Sequence, residues 1–170
     1  MILGMSLLAF TRLHVALSLI GIGSGFLMGW GLLRSHRMPV ATAVFLLTTA
    51  LTSITGFLFP FKGITPGIVF GILSCIALLV AVIARYPLHL SGRARGAWVL
   101  SAMLALYLNF FVFLVQLFDK TPALHAMANR QKETVFAGAQ LAALVGFLLW
   151  TVLAWRRFRI ASRQPAVPVP

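Results

Sequence analysis

Acidic side chains are nearly missing from this chain. Asp119 and Glu133 are the only two in 170 residues, against fourteen Lys and Arg, so the formal net charge is +12. So few carboxylates argue against hydrolysis by a carboxylate pair and against a proton path lined by buried acids. Cysteine is nearly absent as well. Cys75 stands alone, which excludes an internal disulfide and any CxxC redox or zinc pair, and its place in an apolar run suits a small packing residue. There is no HExxH, G-x-S-x-G or P-loop motif. A non-enzymatic role is therefore favoured.

Charge of either sign is also scarce, at 9% of residues, whereas soluble domains carry roughly 25%. What fills the chain instead is apolar: 61% hydrophobic residues and a mean hydropathy of +1.00. The positive balance does not indicate nucleic-acid binding, because the basic residues form short clusters between apolar runs rather than a stripe or an aromatic-interleaved patch. Such clusters are what membrane insertion asks of flanking loops, and lipid is the expected environment.

A bilayer core about 30 Å thick is crossed by ~20 apolar helical residues. Five segments meet that length, 12–33, 39–59, 65–85, 97–118 and 135–155. They predict an all-α, five-helix transmembrane bundle formed by residues 1–159 as one domain. Pro39 and Pro66 read as helix starts, since a first-turn proline loses no backbone bond; Pro60, Pro87 and Pro122 fall between segments. Residues 1–11 lack a basic n-region and an A-x-A-like site, so the first segment reads as a permanent helix, beginning early or preceded by a turn. The end, 160–170, with three prolines in its last six residues, is expected to be an extended tail.

Counting basic residues by loop orients the bundle. One side holds Arg34, Arg37, Arg85, Arg93, Arg95, Arg156, Arg157, Arg159 and Arg163; the other holds Arg12, Lys62, Lys120, Arg130 and Lys132 together with both acids. Lys and Arg accumulate on the cytoplasmic side, which predicts the N-terminus outside and the C-terminus inside. Trp30, Trp98, Trp150 and Trp155 all fall near the inner boundary, as interfacial indoles.

Lipid gives helices no hydrophobic reason to associate, so close packing of small residues is expected to hold them. The first helix aligns Gly21, Gly25 and Gly29 with His14 and Ser18; the third carries Gly67, Gly71 and Ser74. The second has two stripes, Thr48-Thr52-Thr55 and Thr49-Ser53-Gly56, whose hydroxyls can bond their own backbone four residues back.

Polar side chains are costly in a membrane and usually face the bundle interior. Here they gather toward the outer side. His14 and Thr55 lie near the outer ends of helices one and two. Asn109, Gln116 and Lys120 share one face of helix four, and Glu133 and Gln140 open helix five. Between them runs the longest outer loop, in which residues 122–128 have the composition of a short helix lying over the bundle and carry His125. The eight residues His14, Thr55, Asn109, Gln116, Lys120, His125, Glu133 and Gln140 predict an outward-facing pocket for a quinone headgroup, a haem b or a small polar ligand. Each has a plainer use: the amides in interhelical hydrogen bonds, His14 at the interface, His125 in solvent, Glu133 in a loop ion pair. Haem would rest on His14 and His125, the one imidazole pair on that side; a copper site from His14, His125, Met127 and Glu133 lacks any tight ligand spacing. No half-chain repeat suggests a transporter.

The segments Leu51-Thr52-Ser53-Ile54-Thr55-Gly56-Phe57-Leu58-Phe59-Pro60 and Gln116-Leu117-Phe118-Asp119-Lys120-Thr121-Pro122-Ala123-Leu124-His125 resemble small bacterial multi-pass inner-membrane proteins. That resemblance implies an address and carries no activity. The tryptophan and proline pattern of the five-helix tryptophan-rich sensory proteins is not present. The expected role is a ligand-binding or accessory subunit, with the bilayer, a membrane-protein partner or a second copy as neighbours and no nucleic acid; the alternative is a redox protein using haem or quinone at His14 and His125.

Overall fold

The computed structural model describes the chain except residues 1, 61, 62, 64, 122–127 and 162–170, and the side chains of 128–133 and 159–161. The described residues form five helices: α1 (Leu7–Leu33), α2 (Pro39–Gly56), α3 (Pro66–Arg85), α4 (Arg93–Lys120) and α5 (Ala128–Ala161). No strand occurs among the described residues; Ile2 and Met5 form an isolated bridge around a tight turn at Leu3 and Gly4, both at positive φ. All five helices are long and apolar enough to cross a membrane, the fifth through its stretch Thr134–Phe158.

The ends of the helices follow from local chemistry. Ser6 caps α1 by accepting the Ala9 amide at 3.2 Å, so the helix starts five residues before the expected 12 and Arg12 lies inside it. Pro39 and Pro66 occupy first-turn positions of α2 and α3. Helix α2 stops at Gly56 instead of 59: Pro60 has no N–H for the Gly56 carbonyl, so Phe57 and Leu58 close a turn on Ile54 and Thr55. Helices α4 and α5 outrun the expected segments at both ends, because charged residues at their termini prolong the helix beyond its apolar stretch. The helical start of the tail, at residues 160 and 161, departs from the extended form expected; the rest of the tail and the expected helix over 122–127 lie outside the described residues.

Successive helices run antiparallel, α1 against α2 and α3 against α4, with α5 on α4 and α1. Helix α4 touches all four others and holds the fully buried Trp98, Val99, Ala102, Ala105 and Leu106. The glycine faces act as expected where a neighbour is present. Gly25 lies against Phe45 and Leu106, Gly29 against the Trp150 indole and Gly71 against Phe57. Gly67 meets nothing beyond its own Thr65, so the α3 stripe packs only through Gly71 and Ser74. Outside this core, large apolar side chains are exposed along every helix, among them Leu19, Leu27, Leu47, Ile76, Leu104 and Leu148.

The two ends of the bundle differ. Ser35 Oγ donates to the Arg157 carbonyl at 3.3 Å and an Arg85 nitrogen to the Arg37 carbonyl at 3.3 Å, which joins the α1–α2 loop, α3 and α5 at the arginine-rich end. Asp119 lies at the opposite end of α4. Of the four indoles, Trp30 is exposed beneath the Arg34 guanidinium, 4.8 Å from the ring centre. Trp98 is instead fully buried under Arg85, and Trp150 stacks on Phe26 at 5.4 Å. Glycines at 29 and 96 leave room for Trp150 and Trp155, so these indoles serve packing before any interface.

Candidate functional site

The polar residues of α1 form a seam that begins at His14. One helical turn below lies Ser18, and Gly21 follows on the same face. His14 Nδ1 is 2.9 Å from Thr55 Oγ1. The Thr55 hydroxyl donates its one hydrogen to the Leu51 carbonyl at 2.7 Å, with the Thr52 carbonyl at 3.2 Å. With that hydrogen so committed, the Thr55 oxygen accepts from the imidazole in the tautomer that carries its proton on Nδ1 and leaves Nε2 as a lone-pair acceptor. Phe59 stands edge-on to the ring at 5.3 Å, and Phe10 packs on Phe59 at 5.0 Å. Gly56 faces the ring edge, where an added Cβ would lie 3.6 Å from His14 Cε1.

Deeper in the seam Ser18 Oγ donates to Asn109 Oδ1 at 2.8 Å, linking α1 to α4. Gly21 lies beside Asn109, Thr48 and Thr49; an added Cβ would fall 2.9 Å from Thr49 Oγ1 and 3.2 Å from Asn109 Nδ2. Both of these atoms are buried with no hydrogen-bond partner. Of the remaining hydroxyls of α2, Thr48 bonds Val44 at 2.7 Å, Thr52 bonds Thr48 at 2.8 Å and Ser53 bonds Thr49 at 3.0 Å within the helix, while Thr42 donates to the Arg37 carbonyl just outside it at 3.2 Å. That back-bonding matches the expectation from their spacing.

The structure thus brings His14, Thr55 and Asn109 onto one line at the α1–α2–α4 junction. The other expected residues stand elsewhere. Gln140 is buried between α5 and α4, its amide nitrogen donating to the Phe111 carbonyl at 3.4 Å while its oxygen has no partner. Gln116 and Lys120 are exposed on the last turns of α4. His125 and the Glu133 side chain lie outside the described residues. An aromatic cluster of Phe26, Tyr107, Phe110, Phe147 and Trp150 fills the junction of α1, α4 and α5. Ser18, Thr49 and Phe59 belong to the seam although the polar inventory did not assign them a site. Helical phase was the signal for two of them, Ser18 four residues from His14 and Thr49 seven short of Gly56 on one stripe; Phe59, beyond the end of α2, carried none.

No protein-family model matches the chain, and no curated protein or solved structure is significantly similar to it.

Proposed function

We propose that the chain is a multi-pass protein of a bacterial-type inner membrane, N-terminus outside and C-terminus inside, that binds a small lipid-soluble ligand at its outer rim through His14. In this reading it serves as a ligand-binding or accessory subunit of a membrane complex. The membrane part draws on five helices of spanning length and on apolar side chains exposed along all of them, a surface that water would not tolerate at this extent. The orientation draws on the arginine-rich end. Alkaline phosphatase fused after Arg163 is expected to be inactive and fused at Thr121 active; the reverse pattern rejects the orientation.

The single observation that carries the ligand is the Thr55-bound imidazole. A histidine whose Nδ1 proton is tied down presents Nε2 in one direction and, in the neutral ring, as the bare nitrogen. It is then suited to accept a hydrogen bond from a hydroxyl, as on a reduced quinone headgroup, or to ligate a metal centre. The same geometry favours the second reading, a redox protein using quinone or haem at this position. The two are separated by purifying the chain in mild detergent, extracting quinone and recording an oxidised-minus-reduced spectrum. A haem band or bound quinone that disappears in His14→Ala and binds about tenfold more weakly in Thr55→Val supports the redox reading. A colourless chain that retains a larger partner supports the accessory one. Ligand retention unchanged by His14→Ala removes His14 from the site.

A further inference from the structure

The arginine-rich end carries a second feature, on the opposite half of the bundle from His14. A groove of about 420 Å³ runs between α1 and α2, lined by Ser24 and Leu27 on one side and Met38, Pro39, Val40, Ala41 and Val44 on the other. Its walls are apolar: the Ser24 hydroxyl is turned back onto the Ile20 carbonyl at 2.6 Å. Leu27, Trp30 and Arg34 follow one another on a single face of α1, three and then four residues apart. From the groove outward the surface therefore reads apolar wall, exposed indole, guanidinium, with Arg34 standing 4.8 Å over the Trp30 ring. Arg37 is exposed at the groove's other lip, one residue from Met38.

The loop that presents these arginines is held in place. Ser35 and Met38 adopt positive φ, a costly backbone state that persists only where the surroundings impose it. Met38 tucks over Gly31, where an added Cβ would lie 2.6 Å from Met38 Cγ. Ser35 is tied to α5 and the Arg37 carbonyl to Arg85 of α3. Neither Arg34 nor Arg37 meets a carboxylate among the described residues, and both acids of the sequence belong to the other end.

We propose that this surface is a binding site for an anionic phospholipid, one acyl chain lying in the α1–α2 groove and the phosphate held between Arg34 and Arg37. The inference rests on the membrane reading above and is independent of His14. Charge complementarity selects the occupant. A groove this apolar accepts any acyl chain, since lipid tails gain nothing from leaving other tails, so discrimination falls to the headgroup, where two neighbouring guanidinia favour a net negative phosphate.

The test is native mass spectrometry of the full chain in mild detergent, titrated with dioleoyl phosphatidylglycerol or dioleoyl phosphatidylcholine. Phosphatidylglycerol is expected to be retained about tenfold more tightly, and Arg34→Gln with Arg37→Gln to abolish that preference. The paired lysine substitutions keep most of it because the charge remains. Val44→Trp, at an exposed groove position, weakens both lipids while the arginines are intact, and Arg93→Gln on the same end changes neither. Equal retention of the two lipids, or a preference that survives the double glutamine variant, overturns the proposal. Carbonate washing of native membranes separates the two levels of inference. A chain that washes off defeats both; a chain that stays but shows no headgroup preference defeats only the lipid site.

Discussion

Replacing Gly25 by leucine is expected to destabilise the folded bundle by about 3 kcal/mol, the largest effect of any single substitution proposed for this chain. Even one added carbon at Gly25 would collide with Leu106 Cδ1 and approach Phe45 Cδ2 to 2.9 Å. Neither neighbour can retreat, because both are fully buried in the central core. The helix axes must separate, and with them the seam that holds His14 to α2 and Ser18 to α4. Gly23 and Gly146 provide the internal controls. Nothing lies within 4 Å of the Cβ that either would gain, so Gly23→Leu and Gly146→Leu are expected to shift stability by less than about 0.5 kcal/mol. Thermal unfolding in mild detergent checks all three. Equal losses at positions 23 and 25 would mean that α1 does not use its glycine face to meet α2 and α4.

That face is legible in the sequence itself, because a four-residue glycine spacing has one structural consequence in a helix: a flat strip along one side. The same holds for the number and placement of the helices, which a run of apolar residues of bilayer length fixes by itself. What the one-dimensional pattern could not supply was azimuth between helices. Asn109 and Gln140 look equivalent as amides inside apolar runs, yet one meets Ser18 of α1 and the other the α4 backbone at Phe111. Which neighbour a residue meets depends on how α4 is rotated, and α4 has each of the other four helices against it. Gln116 shares a heptad step with Asn109 but lies a full two turns nearer the helix end, where it is exposed. The gathered outer pocket anticipated from the eight residues thus resolves into a line of three, His14, Thr55 and Asn109, with the others placed apart or outside the described residues.

The indoles show the same limit from another side. Trp30 and Trp98 both stand one turn from an arginine at the same end, and sequence gives no reason to separate them. Their surroundings do. Trp30 is half exposed on α1 with Arg34 over its ring, whereas Trp98 starts the most enclosed helix and is covered by Arg85 from α3. The arginine cap explains how an aromatic can be buried so close to a charged end: the guanidinium stacks on the indole face and its nitrogen still reaches the Arg37 carbonyl.

This cap makes Trp98→Ala a test of the solvent as well as of the core. In a water-soluble protein, removing a fully buried tryptophan costs about 4 kcal/mol, part of it lost transfer out of water and part of it the cavity left behind. A helix that separates from its neighbours inside lipid keeps its indole in an apolar medium, so the transfer contribution falls away. Only the cavity and the lost stacking with Arg85 remain, and the expected cost drops to about 2 kcal/mol. Measured by denaturing-detergent titration in bilayer discs, a loss near the lower value agrees with helices that stay in lipid when they come apart. A loss near the higher value would mean that unfolding exposes Trp98 to water, which the membrane reading forbids. Arg85→Ala measured alone and with Trp98→Ala isolates the stacking: the double variant should cost about 1 kcal/mol less than the two single losses added together. Additive losses would leave Arg85 bound to the loop carbonyl alone, and Trp98 held by the apolar core of α4.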